Sequence, residues 1–209
     1  MRSIILWAAL SYLIGSFPTG YVIVKLFHKG EDGKRDGLDV RTVGSGAIGA
    51  TNVRRAMGLG WSWTVGFIDI VKGAFALLLA AKIAPQEAQE TIMALSALAV
   101  VIGHNYPVWL KFRGGKGVAT TYGTLFFIWP YESFAVVLLC AALWYIIMEF
   151  TRYVSLASMV SLIAMPAGFA MLGAPTIYIV VSGILAALSV FRHRSNIVRL
   201  INGNENRLK

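Results

Sequence analysis

The stretch TVGSGAIGATNVRR, Thr42 to Arg55, combines three glycines with small hydroxyl residues and two arginines. Glycines let backbone N–H groups approach a ligand closely, and successive N–H groups in such turns form anion-binding nests. Thr51 or Asn52 is placed to cap a short helix, whose N-terminus would favour a phosphate. Arg54 or Arg55 could clamp that phosphate through two hydrogen bonds. We predict a phosphate-binding loop; the alternative is a flexible loop with arginines that only set membrane topology.

A second basic turn lies in GHNYPVWLKFRGGKGVATTYG, residues 103–123. The sequence GGKG at 114–117 leads directly into an apolar segment that opens with VATT. A lysine held between glycines at a helix start is a good point-charge ligand for phosphate. The alternative is a turn whose basic residues only set topology. His104 precedes the turn, and we expect a packed, hydrogen-bonded histidine there in preference to a catalyst.

Two serines in RYVSLASMVS, Ser155 and Ser158, lie three residues apart and so on one face of a helix. Serines in membrane helices usually form helix–helix contacts. On this pattern alone, the serines are a weak indication of a site.

The segment FRHRSNIVRLINGNENR, residues 191–207, follows the last apolar run. A basic helix in this position typically binds anionic lipid headgroups at the interface. We prefer that interpretation for Arg199 and Arg207. For His193 and Asn196, lipid binding and a role in a site are about equally supported.

Asp69 and Lys72 form an acid–base pair at i, i+3 inside an otherwise apolar segment. Isolated charges are costly there. We expect the two charges to neutralise each other and to face the interior of a helix bundle. A proton or ion relay is the competing interpretation.

Composition identifies the kind of protein that must position these residues. The chain has 209 residues, of which 57% are hydrophobic and 14% charged, and its mean hydropathy is +0.67. These values predict an all-α integral membrane protein. The net charge of +9 is better explained by topology and anionic ligands than by nucleic acid. A single cysteine, Cys140, excludes intramolecular disulfides and cysteine-based metal sites.

Uncharged runs and basic residues together predict the topology. The candidate spans are 3–25, 59–82, 89–110, 117–130, 131–149, 154–172 and 175–191. The first is read as a retained span and not as a signal peptide. Residues 117–149 could form one long helix or two short ones broken near Trp129-Pro130-Tyr131.

Charge counting favours the two short helices. Seven spans place sixteen basic residues on one side, against Arg2 and Lys82 on the other. Six spans would divide them ten against eight. By the positive-inside rule, we predict seven transmembrane helices, with the amino terminus outside and the carboxyl terminus cytoplasmic. All basic and glycine-rich segments then meet at the cytoplasmic face of one domain, residues 1–209.

Taken together, these motifs resemble a bacterial membrane acyltransferase family, which transfers a fatty acyl group from acyl-phosphate to glycerol-3-phosphate. The resemblance runs nearly end to end. The segments that carry it are SYLIGSFPTGYVIVK, VGSGAIGATNVRR, GHNYPVWLKFRGGKGVAT, RYVSLAS and RHRSNIVRLINGNE. Two departures are Ala47, where the family usually has asparagine, and the segment 28–37, which is longer than usual.

The resemblance implies a seven-helix enzyme that produces 1-acyl-glycerol-3-phosphate (lysophosphatidate) at the cytoplasmic face of the bacterial inner membrane. It implies no metal, no cofactor, no acyl-CoA and no acyl-enzyme. Its partners would be acyl-phosphate, glycerol-3-phosphate and membrane lipids. The catalytic residues carried over by motif are Ser45, Arg55, Lys116, His193 and Asn196. The phosphate- and substrate-binding residues are Gly44, Gly46, Thr51, Asn52, Gly114, Gly115, Gly117 and Ser158.

An acyl phosphate is already activated, so catalysis needs mainly the juxtaposition of two anions and stabilisation of charge at the carbonyl oxygen. Cations, loop amides and serine hydroxyls suit that task. The rival function is a small transporter of organic phosphates that uses the same cationic loops.

Overall fold

The computed structural model describes residues 2–129 and 131–208, and of Arg2 and Ser3 it describes the backbone alone. The described residues form helices and turns, with one isolated β-bridge between Lys29 and Arg35. The α-helices are α1 (Arg2–Ser16), α2 (Thr19–Phe27), α3 (Ala50–Met57), α4 (Leu59–Ile83), α5 (Gln89–Asn105), α6 (Val118–Phe127), α7 (Glu132–Thr151), α8 (Val154–Met171), α9 (Thr176–Arg192) and α10 (Arg194–Ile201). Short 3₁₀ turns cover Val40–Thr42, Gln86–Ala88 and Val108–Leu110.

Several of these helices are suited to a bilayer. Five helical segments of the described chain are long and apolar enough to cross a membrane, and a sixth is the bent pair α9–α10. The pair α1–α2 counts as one span, and it is interrupted at Pro18, which has no N–H to donate. The prediction of an all-α integral membrane architecture is therefore confirmed in its general form.

Residues 117–149 form two helices, as the charge count favours. Helix α6 has ten residues and α7 has twenty. Tyr131, which precedes α7, has a positive φ of 70°, and the chain turns there. Pro130, at the predicted break, lies outside the described residues.

Glycines allow two pairs of helices to pack with their backbones almost in contact. A methyl group added to Gly15 in α1 would collide with the carbonyl of Val100 in α5, and one on Gly103 would meet Tyr12 O. In the same way, Gly73 in α4 lies against Thr120 O of α6. Small residues at helix interfaces permit this close packing in membranes.

A small hydrophobic cluster fixes the loop of the first motif on the bundle. Val40 and Ile48 from the loop, with Val53 from α3, are fully buried. They pack with Val65 of α4 and Leu110, which ends the 3₁₀ turn before the second basic loop. The two glycine-rich loops are thereby attached to one scaffold. A larger cluster fills the centre of the bundle.

Candidate active site

The side-chain amide of Asn52 holds together the first loop, which comprises residues 40–49. Its Nδ2 lies 2.8–2.9 Å from the carbonyl oxygens of Val40, Val43 and Ala47, which share its two hydrogens. Its Oδ1 accepts the backbone N–H of Ser45 at 3.1 Å. Asn52 is 1% exposed, so its donors are engaged with the loop's own carbonyls. The geometry gives Asn52 the role of shaping the loop.

The predicted capping by Thr51 or Asn52 is wrong. Helix α3 begins after Gly49, which is its N-cap, and no side chain caps it. Thr51 and Asn52 lie inside the first turn of the helix, two and three positions past the N-cap. Asn52 contacts the loop from this position, and phosphate binding by the two residues stays a prediction.

Two glycines of the first loop adopt a conformation that other residues avoid. Gly44 and Gly46 have φ of 54° and 69°. A Cβ on Gly44 would lie 2.5 Å from Asn52 Oδ1 and 3.0 Å from Arg55 Cδ. Arg55 therefore lies against the loop, and its Nη1 is 3.4 Å from Asn52 Oδ1. Ser45 is exposed between the two glycines.

The second loop comprises residues 111–117, between the 3₁₀ turn Val108–Leu110 and α6. Its N–H groups attach it to the end of α5. Gly114 N–H donates to Asn105 O at 3.2 Å and Gly115 N–H donates to His104 O at 3.1 Å. These two amides, which we predicted to bind phosphate, are occupied within the protein in this conformation. Gly117 has a φ of 81° and starts α6. Its positive φ turns the chain sharply into the helix.

Lys116 connects the second loop to the carboxyl-terminal segment. Its Nζ donates to Asn196 Oδ1 at 2.6 Å. Asn196 Nδ2 in turn donates to Glu205 Oε1 at 2.6 Å. Glu205 also accepts from Ser155 Oγ at 2.9 Å and from Arg199 Nε at 2.7 Å. This chain of contacts orients the Asn196 amide so that its oxygen faces the lysine.

Two further residues of the predicted set, His193 and Ser158, are buried, whereas Thr51 is half-buried. His193 is 2% exposed, and its Nδ1 lies 2.8 Å from Ser189 O. Ser158 is 3% exposed and accepts from Trp144 Nε1 at 3.1 Å. Arg199 pairs with Glu205 through Nε at 2.7 Å, and its contact with lipid headgroups stays a prediction. Arg207 lies over the ring of Tyr153.

A cavity of about 200 Å³ opens between the two loops and the last helix. It is lined by Ser45, Gly46, Ala47, Gly114, Lys116, Arg192, Arg194 and Ser195. Every one of these residues is small or basic. The cavity thus brings together Ser45, Gly46, Gly114 and Lys116 of the predicted set. Asn196 lies next to it through its bond to Lys116.

The surroundings of Lys116 lower the pKa of its ammonium group. Burial, followed by repulsion from Arg199, Arg55 and Arg192, lowers the pKa of Lys116 to about 8, although Glu205 acts in the opposite direction. Burial alone would raise the pKa of Glu205, but the hydrogen bonds from Asn196, Arg199 and Ser155 lower it overall. Glu205 is therefore ionised at neutral pH.

The Asp69–Lys72 pair lies in the interior of the bundle, as predicted. The two charged atoms are 2.7 Å apart, and the side chains are 3% and 7% exposed. Thr19 Oγ1 donates to Asp69 at 3.0 Å, and Lys72 Nζ lies 2.9 Å from His104 Nδ1. His104 is thus a packed, hydrogen-bonded residue. Its Nε2 occupies the space that a side chain on Gly115 would need.

Sequence reasoning missed four residues of this region. Glu205 is the centre of the polar chain, and Arg192, Arg194 and Ser195 line the cavity. Glu205 could have been noticed as the one acid within the basic segment 191–207. The local pattern identifies no partner for Arg192, because the atoms it contacts belong to residues 114 and 115.

The fold and the cavity define an integral membrane protein whose cavity is lined by two glycine-rich loops and by basic side chains. A family model described as glycerol-3-phosphate acyltransferase matches residues 5–203. The chain therefore belongs to the glycerol-3-phosphate acyltransferase family, and it is a membrane-embedded acyltransferase. The resemblance inferred from the motifs is confirmed.

Individual relatives agree over nearly the whole chain. The glycerol-3-phosphate acyltransferase of Gluconobacter oxydans is 40% identical, with 99% of this chain and 93% of the relative covered. That of Halalkalibacterium halodurans is 39% identical, with 95% and 92% covered. The crystal structure of PlsY (YgiH), an integral membrane glycerol 3-phosphate acyltransferase, in its glycerol 3-phosphate form gives a TM-score of 0.87 at 37% identity. That match covers 99% of this chain and 96% of the PlsY chain.

Proposed function

We propose that the protein transfers a fatty acyl group from acyl-phosphate to glycerol-3-phosphate in the cavity between the two loops. The observation that carries this proposal is the lining of that cavity, which presents Lys116, Arg192 and Arg194 beside the Ser45–Gly46 turn. Two phosphate-bearing substrates must meet there. A cluster of cations offsets their mutual repulsion.

In the proposed reaction, a hydroxyl oxygen of glycerol-3-phosphate attacks the acyl carbonyl carbon. The bond from that carbon to the phosphate oxygen breaks, and inorganic phosphate leaves with the hydroxyl proton. Ser45, at the exposed tip of the first loop, donates a hydrogen bond to the acyl-phosphate. Lys116 and Arg55 hold the phosphate groups, and the product is 1-acyl-glycerol-3-phosphate.

The other predicted residues take supporting positions in this proposal. Asn52 and the positive-φ glycines Gly44 and Gly46 maintain the first loop. Asn196 holds Lys116, while His193 and Ser158 complete the wall of the glycerol-3-phosphate site behind it. Thr51 and the glycines at 114, 115 and 117 give the two loops their shape near the phosphates.

The proposal includes a topology. One domain, residues 1–209, would cross the bacterial inner membrane seven times, with the amino terminus outside and the site at the cytoplasmic face. The bond between Lys116 and Asn196 supports this, because it requires the second loop and the carboxyl-terminal segment to lie at the same face.

Purified protein in detergent micelles tests the reaction directly. Glycerol-3-phosphate is supplied with acyl-phosphate or acyl-CoA of the same chain length, and lysophosphatidate and inorganic phosphate are both measured. We expect equimolar lysophosphatidate and phosphate with acyl-phosphate, and no transfer from acyl-CoA. Transfer from acyl-CoA alone would refute the proposed donor. Micelles have no compartments, so a transporter would produce neither product.

A further inference from the structure

The carbonyl groups of the second loop make two unusual contacts. Arg192, the last residue of α9, donates from Nε to Gly115 O at 3.0 Å and from Nη2 to Gly114 O at 3.2 Å. Its guanidinium also lies 4.8 Å from the centre of the Tyr106 ring. One planar side chain therefore contacts two successive carbonyls and is itself held by an aromatic face.

The two glycines are fixed from both sides. Their N–H groups donate to Asn105 O and His104 O at the end of α5, while their carbonyls accept from Arg192 at the end of α9. A side chain on either glycine would collide with residues His104 to Pro107. The position of Lys116, the next residue, follows from this double attachment.

The attachment also changes the electrostatics of the loop. Carbonyl oxygens carry partial negative charge and would repel a phosphate at the cavity. Hydrogen bonds from a guanidinium neutralise that charge, and they are about twice as strong as bonds between neutral groups. We propose that Arg192 is a positioning residue for the acyl transfer: it holds the Gly114–Gly115 carbonyls so that Lys116 faces the phosphate. This inference rests on the proposed function of the cavity.

Three substitutions test this role. Arg192→Gln removes the positive charge and the planar guanidinium that donates to both carbonyls. Arg192→Lys keeps the charge but removes the planar guanidinium. Arg113→Gln is the control, because Arg113 is an exposed cation beside the loop. We expect kcat/KM for glycerol-3-phosphate to fall roughly ten- to hundred-fold in both Arg192 variants, mainly through KM, and to stay near wild type in the control.

Hydrogen–deuterium exchange on the peptide 111–118 supplies a readout that does not depend on the reaction. We expect the amides of Gly114 and Gly115 to exchange faster in both Arg192 variants, with unchanged exchange in α4 and α8. Unchanged loop exchange in either variant, or wild-type kinetics in Arg192→Lys, would overturn the proposal. If the wild type transfers no acyl group from acyl-phosphate, the proposed function fails, and the exchange result still decides whether Arg192 braces the loop.

A second inference comes from a different cavity, of about 370 Å³, where α2 ends and α4 begins. Its floor is aromatic: the rings of Phe27 and Trp61 stack with centroids 5.2 Å apart. Its rim carries Lys29 and Arg35 from the segment 28–37. The Arg35 guanidinium lies 5.4 Å from the centre of the Phe27 ring.

The segment 28–37 is an ordered structure. Gly30 N–H donates to Lys34 O at 2.9 Å, Lys29 and Arg35 form a β-bridge, and His28 Nδ1 lies 2.9 Å from Asp36. Among the described residues, no carboxylate lies within ion-pair distance of Lys29 or Arg35. The hairpin thus presents two cations over an apolar floor.

We infer that this second cavity binds the phosphate of an anionic bilayer lipid, whose acyl chains leave over the exposed apolar side chains nearby. Phe27, which lines the cavity, is 43% exposed, so apolar surface continues from the cavity to the outside of the protein. Aromatic rings and cations at a membrane interface recognise lipids of this charge. The segment that departs from the family pattern would then be a lipid-binding hairpin.

Native mass spectrometry of the protein, released from micelles with phosphatidylglycerol or phosphatidylcholine, tests this inference. We expect preferential retention of phosphatidylglycerol by the wild type and loss of that preference in Lys29→Gln/Arg35→Gln. The control Lys111→Gln/Arg113→Gln removes the same charge from another exposed turn and should keep the preference. Equal loss in both double variants, or no preference in the wild type, would overturn the site. Stronger retention of lysophosphatidate than of phosphatidylglycerol would overturn the assignment to a bilayer lipid.

Discussion

In the proposed site, Lys116 acts as a cation although its surroundings disfavour its protonated form. Burial and three arginines destabilise its ammonium form, and the hydrogen bond to Asn196 fixes the position of Nζ. A phosphate dianion would compensate the charge directly. Among the described residues, no carboxylate lies within ion-pair distance of Lys116. In the proposed site, the phosphate of the substrate would therefore stabilise its ammonium form.

The first prediction concerns the two cations assigned to phosphate. Lys116→Ala and Arg55→Ala should each abolish most acyl transfer, because each removes a charge that offsets the approach of two phosphates. Arg113→Ala is the control, since it removes an exposed cation from the same loop and should retain nearly full activity. Lysophosphatidate formation in micelles is the measurement. Near wild-type turnover in either active-site variant would contradict the assignment.

The lowered pKa of Lys116 predicts that kcat/KM falls as the pH rises. The amine is protonated below about pH 8 and loses its proton as the pH rises through that value. A phosphate monoester is already a dianion there, because its second pKa is about 6. We expect kcat/KM for glycerol-3-phosphate, which reports the free enzyme, to decline above about pH 8. An active Lys116→Arg enzyme should lack this decline up to about pH 10, and a flat wild-type profile would disprove the role of the lysine.

Ser45 distinguishes direct transfer from a covalent route. Its predicted role is to donate a hydrogen bond, so Ser45→Ala should lower turnover by roughly ten- to hundred-fold, the equivalent of ~1.5–3 kcal/mol for a charge-assisted bond. Wild-type protein incubated with acyl-phosphate alone should show no added acyl mass in intact mass spectrometry. An acyl adduct on Ser45 would rule out direct transfer.

The sequence predicted residues whose chemistry is local and missed those whose partners are distant. Ser45 and Lys116 were found because glycines surround them within a few positions. Arg192 was missed because it contacts a carbonyl 77 residues away. Glu205 has two partners close by in the sequence, Asn196 and Arg199, but its contact with Ser155 spans 50 residues. Contacts over such separations depend on the packing of several helices, which a local pattern does not contain.

At the scale of elements, uncharged runs located the long helices well, since the bilayer sets their length. The short elements were harder to predict from the sequence. Helix α3 begins at Ala50 without a side-chain cap, and its position is set by burial of Val53 with Val40 and Ile48. The Gly73 contact between α4 and α6 is likewise visible only in the packed structure.

The buried pair of α4 allows a stability prediction. Asp69→Asn leaves the Lys72 charge without its partner, and breaking a buried pair in this way costs about 3–5 kcal/mol. Asp69→Asn combined with Lys72→Met should recover part of the loss, because the unpaired charge is gone. Thermal unfolding in micelles measures both. The control is Glu149→Gln, which breaks an exposed i, i+3 pair with Arg152 and should cost no more than about 1 kcal/mol.

A different result for this pair would change its interpretation. If Asp69→Asn removes activity while the unfolding temperature stays at the wild-type value, the pair acts in the reaction and not in the fold. The pair would then act on the second loop through His104. That residue is hydrogen-bonded to Lys72 and lies against Gly115.

For the whole molecule, the contacts between distant segments constrain how often the chain crosses the bilayer. Asn196 contacts the loop that precedes α6, and Ser155 at the start of α8 contacts Glu205. The second loop, the α7–α8 turn and the carboxyl-terminal segment are therefore at one end of the bundle. The chain must therefore cross the bilayer an even number of times between the second loop and α10. Helices α6, α7, α8 and α9 give four crossings if α6 spans the bilayer and three if it does not.

Helix α6 is the shortest member of that set, since its ten residues span only about 15 Å at ~1.5 Å each. If it crosses together with its flanking residues, the total is seven and the two ends of the chain lie on opposite sides. A reporter fused after the last residue should then be cytoplasmic, and one fused before the first should be external. As a control, a reporter in the exposed 31–37 turn should report the same side as the carboxyl terminus. Both ends on one side would mean an even number of spans and would separate the carboxyl-terminal segment from the loops that it contacts.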